Sequence, residues 1–146
     1  MTKEEIARRA ARAVDCHQKG YNCAQAVACA FADQTDLEEK TIFRMAEGLG
    51  LGMGGMRGTC GAISAAALLC GLKHSTPHLE APDSKAVSYE YAQACLARFE
   101  ERYGTLRCQE LRGGDGEEPL EVIRRRCDGY IAAAVEIAAD VLYGGE

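Results

Sequence analysis

The sequence has no tryptophan, six tyrosines, three phenylalanines and three prolines in 146 residues. It is rich in alanine, and small side chains with few aromatics favour closely packed helices. No apolar run reaches the roughly 18 residues that a membrane-spanning helix needs. The first ten residues are charged and lack the short apolar core of a secretory signal. We therefore expect a cytoplasmic protein without membrane insertion.

The chain also lacks an excess of positive charge. Its net charge is -5, with acidic and basic residues mixed along the sequence. This argues against nucleic acid as a partner, because nucleic-acid binding requires a basic surface. A chain of this length can bury a core without a disulfide or a metal ion. We predict one domain over residues 1–146.

A further absence concerns the spacing of the cysteines. No two are spaced C-x-x-C, which excludes thioredoxin-type pairs, c-type haem attachment and zinc ribbons. Without an export signal, a static disulfide framework is not expected. Any shared thiol site must therefore be built from separate segments. The eight cysteines are Cys16, Cys23, Cys29, Cys60, Cys70, Cys95, Cys108 and Cys127.

Apolar residues at helical spacing, together with capping residues and glycine stops, predict an all-α bundle of about six helices. No alternation typical of strands is present. A single helical turn is expected at Cys108. The predicted helices cover residues 3–19, 23–32, 37–45, 60–69, 85–103 and 119–143, and a glycine-rich loop precedes the fourth.

That loop, Gly48 to Gly61, contains seven glycines in fourteen residues. Glycine loses more backbone entropy on folding than other residues, so the cluster indicates positive φ angles, close backbone approach or amides facing an anion. Gly50 to Gly55 fits G-x-G-x-x-G, but a helix precedes it where the dinucleotide fingerprint requires a strand. A nucleotide site is therefore a minor alternative. A crossing point of closely packed helices is the other structural interpretation.

Three cysteines are predicted at the starts of helices. Cys23 and Cys60 begin the second and fourth helices, and Cys108 begins the short turn, where unpaired N–H groups and the helix dipole favour a thiolate. Cys127 follows a reversal that can bring it to Cys108. We expect the backbone of Gly54, Gly55, Gly58 and Gly61 to donate to a thiolate or to a cluster sulfur. Cys16, Cys29, Cys70 and Cys95 lie on apolar faces and are expected to be core residues.

The remaining candidate groups are histidines and arginines. His17, His74 and His78 lack the spacing of metal ligands. The run from Arg124 to Arg126, next to Cys127, is either a solvated helix face or supplies one guanidinium that keeps the thiols ionised.

The segments around four cysteines resemble a known family. Tyr21-Asn-Cys23-Ala-Gln-Ala-Val27, the glycine-rich stretch leading into Cys60-Gly61-Ala62, Cys108-Gln-Glu-Leu111 and Cys127 are similar to the C_GCAxxG_C_C family of redox-active proteins. The resemblance covers about residues 20–133. It implies an all-helical domain whose family cysteines are Cys23, Cys60, Cys108 and Cys127. This chain has Ala65 where the family motif closes with glycine.

The leading functional hypothesis is a redox or electron-transfer protein, such as a thiol-dependent oxidoreductase, with an unidentified redox partner. In it Cys60 works with Cys23, and Cys108 and Cys127 complete the site. The first alternative uses the same four cysteines as ligands of an iron–sulfur cluster or, less favoured, of zinc. The second is a non-catalytic helical binding module. The last helix, from Ile131 to Leu142, can pack within the monomer or form a dimer seam, and we favour the homodimer.

Overall fold

The protein is built from seven α-helices within residues 1–114 and 117–144, the parts of the chain that the computed structural model describes. No strand is present there, so the predicted all-α bundle is confirmed, as is the glycine-rich loop before the fourth helix. The helix beyond the six predicted is the short turn expected at Cys108. The helices are α1 (Lys3–Lys19), α2 (Cys23–Cys29), α3 (Glu39–Ala46), α4 (Gly61–His74), α5 (Lys85–Tyr103), α6 (Cys108–Leu111) and α7 (Leu120–Tyr143).

Helix ends differ from the sequence prediction in the centre of the chain. α2 ends at Cys29 rather than at residue 32, and a short 3-10 turn over Ala32–Gln34 follows it. α4 continues through Gly71 to His74, where the N–H of Ser75 bonds to the carbonyl of Gly71. Leu72 packs against the core and the ring of His74 stacks on that of Tyr91, which supports this extra turn, although glycine is a common helix stop.

Two central helices carry the core. Every residue of α2 after Cys23 is buried, and α2 packs against α1, α3, α4 and α7. α4 packs between α2, α5 and α7, with seven buried residues. Alanine at many of these positions lets the helix axes approach closely, as the composition predicted.

The last helix, α7, closes the bundle by packing against α1, α2, α4 and α5. Its buried side is rich in alanine, from Ala133 and Ala134 to Ala138 and Ala139. The expected homodimer through this helix stays a prediction. In the part of the chain described here, no helix combines the length and hydropathy that crossing a membrane would require.

Candidate thiol site

The four cysteines singled out by the sequence line one cavity. The cavity has a volume of about 240 Å³ and lies where α2, α4, α6 and α7 meet. Cys60 and Cys108 are 6% and 5% exposed, whereas Cys23 and Cys127 are half-buried. The other lining residues are His17, Asn22, Leu51, Ala62, Leu111, Arg112, Leu120, Arg124 and Tyr130.

Cys23 is positioned by the cap of α2. The Asn22 side chain accepts a hydrogen bond from the N–H of Gln25 at 2.9 Å, and the Gln25 side chain accepts one from the N–H of Asn22 at 2.9 Å. The Asn22 amide also donates to the carbonyl of Glu47 at 2.8 Å. This capping box therefore fixes the start of α2 against the segment that leads into the glycine-rich loop.

Cys60 and Cys108 are held side by side by a short antiparallel bridge between Thr59 and Arg107. The N–H of Cys60 donates to the carbonyl of Leu106 at 2.7 Å, and the N–H of Cys108 donates to the carbonyl of Gly58 at 3.0 Å. The end of the glycine-rich loop and the start of α6 thus form one rigid unit that carries two thiols.

Two glycines of the loop lie so close to the cysteine segments that a side chain would not fit in their place. A Cβ on Gly61 would lie 2.5 Å from Sγ of Cys23 and 2.8 Å from the carbonyl oxygen of Leu49. A Cβ on Gly52 would overlap the side chain of Cys108, and Gly52 has a φ of +55°. Since no side chain fits at either position, these glycines let the cysteine segments converge.

The four glycines predicted to face a sulfur do not line the cavity. Gly54 and Gly55 are exposed, Gly58 contributes its carbonyl to Cys108, and Gly61 packs against Cys23. The expected role of these glycines as donors to a sulfur stays a prediction, and the backbone amides that act on the Cys60 thiol belong to Ala62 and Ile63. Cys60 is the N-cap of α4, so the first turn of that helix supplies the donors.

Burial has a larger effect on the pKa of the Cys60 thiol than these two hydrogen-bond donors have. Desolvation, followed by the neighbouring Cys23, raises the pKa of the Cys60 thiol to about 12, although the two amides act in the opposite direction. Burial likewise raises the pKa of Cys108 to about 11. The expectation of a thiolate at Cys60 from the helix terminus therefore does not hold for the resting protein, because its sulfur is almost completely removed from water.

Cys127 has a different environment, because a guanidinium contacts it. Nη1 of Arg112 donates to Sγ of Cys127 at 3.7 Å. Burial raises the pKa of Cys127, and Arg112 opposes that rise. The sequence suggested an arginine of the run 124–126 for this role. Of those, Arg124 lines the cavity, while Arg126 donates to Glu118 at 2.7 Å and to the carbonyl of Arg112 at 3.1 Å.

His17 and Tyr130 are two further polar residues on the cavity wall, and the sequence did not place either of them there. Nδ1 of His17 lies 2.6 Å from Oδ1 of Asp128, next to Cys127 in sequence, and this contact joins α1 to α7. The hydroxyl of Tyr130 donates to the carbonyl of Leu111 at 2.7 Å and joins α7 to α6. Both contacts hold α7 in place around Cys127, and neither leaves a local sequence signal.

The loop that borders the cavity contains unusual backbone. Leu51, Met53 and Met56 all have positive φ angles, between 55° and 66°. Side chains other than glycine rarely adopt this conformation, which costs of order 1 kcal/mol or more for each residue. Leu51 lines the cavity despite this cost.

The remaining four cysteines, Cys16, Cys29, Cys70 and Cys95, are buried away from the cavity, as their apolar faces predicted. Within residues 1–114 and 117–144, no group of three or more His, Cys, Asp or Glu side chains is placed to hold a metal ion. The assignment of the four cavity cysteines as metal ligands stays a prediction.

Comparison with known proteins identifies the family of the chain. A family model described as "Putative redox-active protein (C_GCAxxG_C_C)" matches residues 21–141, which include all four cavity cysteines. Neither the curated proteins nor the solved structures contain a match to the chain.

Proposed function

Because the chain belongs to the C_GCAxxG_C_C family of redox-active proteins, we propose that its cavity is a thiol–disulfide redox centre in which Cys23 is the thiol shared by the other three. The observation that carries this proposal is the convergence of four cysteines from four separate segments on one cavity. Chance burial of cysteines as small apolar residues does not require such convergence.

Cys23 is the shared neighbour in electrostatic terms. Burial is the largest cause of the raised pKa of Cys60, of Cys108 and of Cys127, and the nearby Cys23 raises each of these pKa values further. Its sulfur also lies next to the backbone of Gly61, the residue after Cys60. Cys23 is half-buried, so a substrate reaches it more readily than it reaches Cys60. This arrangement suits Cys23 as the attacking thiol and Cys60 as the resolving thiol.

In the proposed reaction the thiolate of Cys23 attacks one sulfur of a substrate disulfide. A mixed disulfide forms and one substrate thiolate leaves. Cys60 then gives its proton to the leaving thiolate and attacks the sulfur of Cys23, which releases the second substrate half. One substrate disulfide becomes two thiols, and two protein thiols become one disulfide. Two electrons pass to the substrate, and the reverse sequence oxidises it.

Cys108 and Cys127 add a second pair of thiols, since both line the same cavity. Arg112 stabilises negative charge on Cys127 through its hydrogen bond, so this sulfur can carry the thiolate during exchange. Thiol–disulfide exchange between Cys23 and these two cysteines would move the disulfide from one pair of cavity cysteines to another. The oxidation state of the protein would not change.

The test uses oxidised glutathione and the fully reduced protein. Free thiols are trapped with a maleimide at timed intervals and located by peptide mass spectrometry. We expect disulfides that include Cys23 in the wild type, and a roughly tenfold or greater slowing of disulfide formation among the cavity cysteines in Cys23→Ser. Cys16→Ala, which removes a buried thiol from α1, is the matched control. Equal rates in Cys23→Ser and the wild type would overturn the proposal.

The four cavity thiols match the ligand number of an iron–sulfur cluster, which is the second candidate function, although in the described residues no three of them are placed to hold a single metal ion. Cluster binding would use Cys23, Cys60, Cys108 and Cys127 together. Protein produced with iron and purified without oxygen would then be brown and contain iron. Under the thiol–disulfide proposal, the same preparation is colourless and reacts with maleimide at the cavity cysteines.

A further inference from the structure

The thiol cavity carries positive charge, although the protein is acidic as a whole. The chain has 22 acidic and 17 basic residues, yet no aspartate or glutamate is among the described residues that line the cavity. Two arginines, Arg112 and Arg124, do line it. We propose that the cavity selects small disulfides that bear a carboxylate group, and that Arg124 binds this group. This inference rests on the proposed function, because it names the substrate class of the same site.

Arg124 lies at the mouth of the cavity. It is exposed, and it lines both the cavity and an outer groove on the surface of α7. Leu120, one turn earlier on α7, also lines both. Arg124 precedes Cys127 by three residues on this helix, so the two side chains lie on one face. A substrate that enters from the groove therefore passes the guanidinium before its sulfur reaches the thiols.

The charge of the two cavity arginines is not neutralised by a neighbour. Neither Arg112 nor Arg124 forms an ion pair with an acidic side chain of residues 1–114 and 117–144. Arg126, in contrast, is paired with Glu118 at 2.7 Å. Arg112 already donates to the sulfur of Cys127. Arg124 is therefore the guanidinium that is available to a ligand.

Two acidic residues, Asp128 and Glu121, line the outer groove with Arg124. Asp128 lies 2.6 Å from Nδ1 of His17 and accepts from the Gln18 amide at 3.3 Å, so its oxygens already have partners. Glu121 lies one helical turn from Arg124 and from the next residue, Arg125, and so acts on both. Arg125 lines the groove but not the cavity. A comparison of the two arginines thus separates the cavity from the general charge of this surface.

The size of the cavity and its apolar residues define the rest of the substrate. Its volume of about 240 Å³ is below the roughly 300 to 1,000 Å³ of pockets that hold drug-sized ligands. Leu51, Leu111 and Leu120 line it together with the thiols. A disulfide with short methylene arms that end in carboxylates matches this combination, because the arms contact the leucines and a carboxylate meets Arg124.

A preference for an anionic disulfide is the reverse of what a thiolate shows in water. The attacking thiolate of Cys23 repels a disulfide that bears carboxylates and attracts one that bears ammonium groups. A guanidinium beside the carboxylate offsets this repulsion and adds charge-assisted hydrogen bonds. The order of the exchange rates among charged disulfides therefore reports on Arg124.

The experiment oxidises the whole reduced chain at low salt with three small disulfides of similar size. Dithiodipropionate carries two carboxylates, hydroxyethyl disulfide is uncharged, and cystamine carries two ammonium groups. Disulfides among the cavity cysteines are followed by timed maleimide trapping and peptide mass spectrometry. Each rate is divided by the rate at which dithiothreitol reduces the same compound. We expect the wild type to favour dithiodipropionate over cystamine by about tenfold on this relative scale.

Three variants locate the origin of this preference. Arg124→Gln should reduce it by roughly threefold or more, and Arg124→Lys should keep most of it because the charge remains. Arg125→Gln removes the same charge from the same helix but leaves the cavity unchanged, so it should keep the wild-type preference. An equal loss in Arg125→Gln and Arg124→Gln would overturn the inference. A wild-type preference no greater than that of dithiothreitol would overturn it as well.

The uncharged disulfide distinguishes this inference from the proposed function. If hydroxyethyl disulfide oxidises the cavity through Cys23 while the charged compounds show no preference, only the inference about substrate charge fails. If Cys23→Ser reacts with hydroxyethyl disulfide as fast as the wild type does, the proposed function fails and the inference fails with it.

Discussion

At Gly61 a single methyl group decides whether two cysteine segments can meet. The Cβ of an alanine there would lie 2.5 Å from Sγ of Cys23 and 3.0 Å from Cα of Gly50. The same helix offers a matched position, since a Cβ on Gly71 would meet no atom within 4 Å. The two glycines thus separate the effect of crowding at the cavity from the effect of glycine on helix stability.

We predict that Gly61→Ala lowers the free energy of unfolding by about 1 to 3 kcal/mol, because backbone on the far side cannot move away from the added methyl. Gly71→Ala should be neutral or raise it by about 0.4 to 1 kcal/mol, since alanine restricts the unfolded chain. Urea unfolding of both variants in the presence of a reducing agent measures this. A similar loss in the two variants would show that the Gly61 contact with Cys23 is unimportant.

Ala65 is the residue at which the chain departs from the family motif. It is fully buried on α4 and does not line the cavity. Its methyl group therefore belongs to the helix-packing core and leaves access to the four thiols unchanged.

At the scale of elements, the cap of α2 connects helix stability with the position of a thiol. The side chain of Asn22 caps α2 and also bonds to the carbonyl of Glu47. Thr2 caps α1 by accepting from the N–H of Glu5 at 3.1 Å, far from any cavity residue. Both caps stabilise a helix, but only Asn22 adjoins a cavity cysteine.

We predict that Asn22→Ala and Thr2→Ala each lower stability by about 0.5 to 2 kcal/mol, the usual cost of losing a side-chain cap. Only Asn22→Ala should change the rate at which iodoacetamide modifies Cys23, because the start of α2 loses its anchor. Peptide mapping of timed alkylation in folded protein measures that rate. An unchanged rate in Asn22→Ala would mean that the capping box does not position the sulfur.

The elements that the sequence predicted well are those with local signals at both ends. α1 and α5 match their predicted ranges, since Gly20 and Gly104 both follow them with positive φ angles. The predicted end of α4 was wrong because the helix continues through Gly71, and the contacts of Leu72 with the core and of His74 with Tyr91 support the added turn. The glycine cluster indicated positive φ angles in this loop, but nothing in the sequence placed three of them on Leu51, Met53 and Met56.

At the scale of the whole molecule, the set of cavity residues was only partly predictable. The four cysteines could be selected from their helix starts and from the family resemblance. Arg112 and the amides of Ala62 and Ile63 could not, because their contacts with sulfur depend on how α6, α4 and α7 are placed together. Ionisation was misjudged for the same reason, since the helix dipole acts locally whereas burial is a property of the assembled bundle.

Because several thiols are buried, the stability of the folded protein falls as the pH becomes alkaline. Burial raises the pKa of Cys29 and of Cys60 to about 12 and that of Cys108 to about 11, from the usual 9.0. Above pH 9 the unfolded chain releases these protons while the folded protein retains them. Stability is therefore fully present below pH 9 and is lost as the pH rises towards 12, by about 1.4 kcal/mol per pH unit for each such thiol.

We predict that the free energy of unfolding, measured with urea under reducing conditions, falls from pH 9 to pH 11. Cys29→Ala removes one of the titrating thiols and should give a shallower fall over the same range, whatever its stability at pH 8. The slope is the quantity compared, because the absolute stability also reflects the changed core volume. Parallel curves for the two proteins would contradict the assignment of a raised pKa to Cys29.

The docking of α7 has a consequence for the order of events during synthesis. Cys23, Cys60 and Cys108 leave the ribosome before Cys127, and the contacts of α7 with α1, α2, α4 and α5 form only when the last helix is complete. Until then the cavity lacks the wall that carries Cys127, His17 has no Asp128 to bind, and the earlier thiols are open to water. A nascent chain thus exposes three of the four cysteines to solvent before the cavity that encloses them is complete.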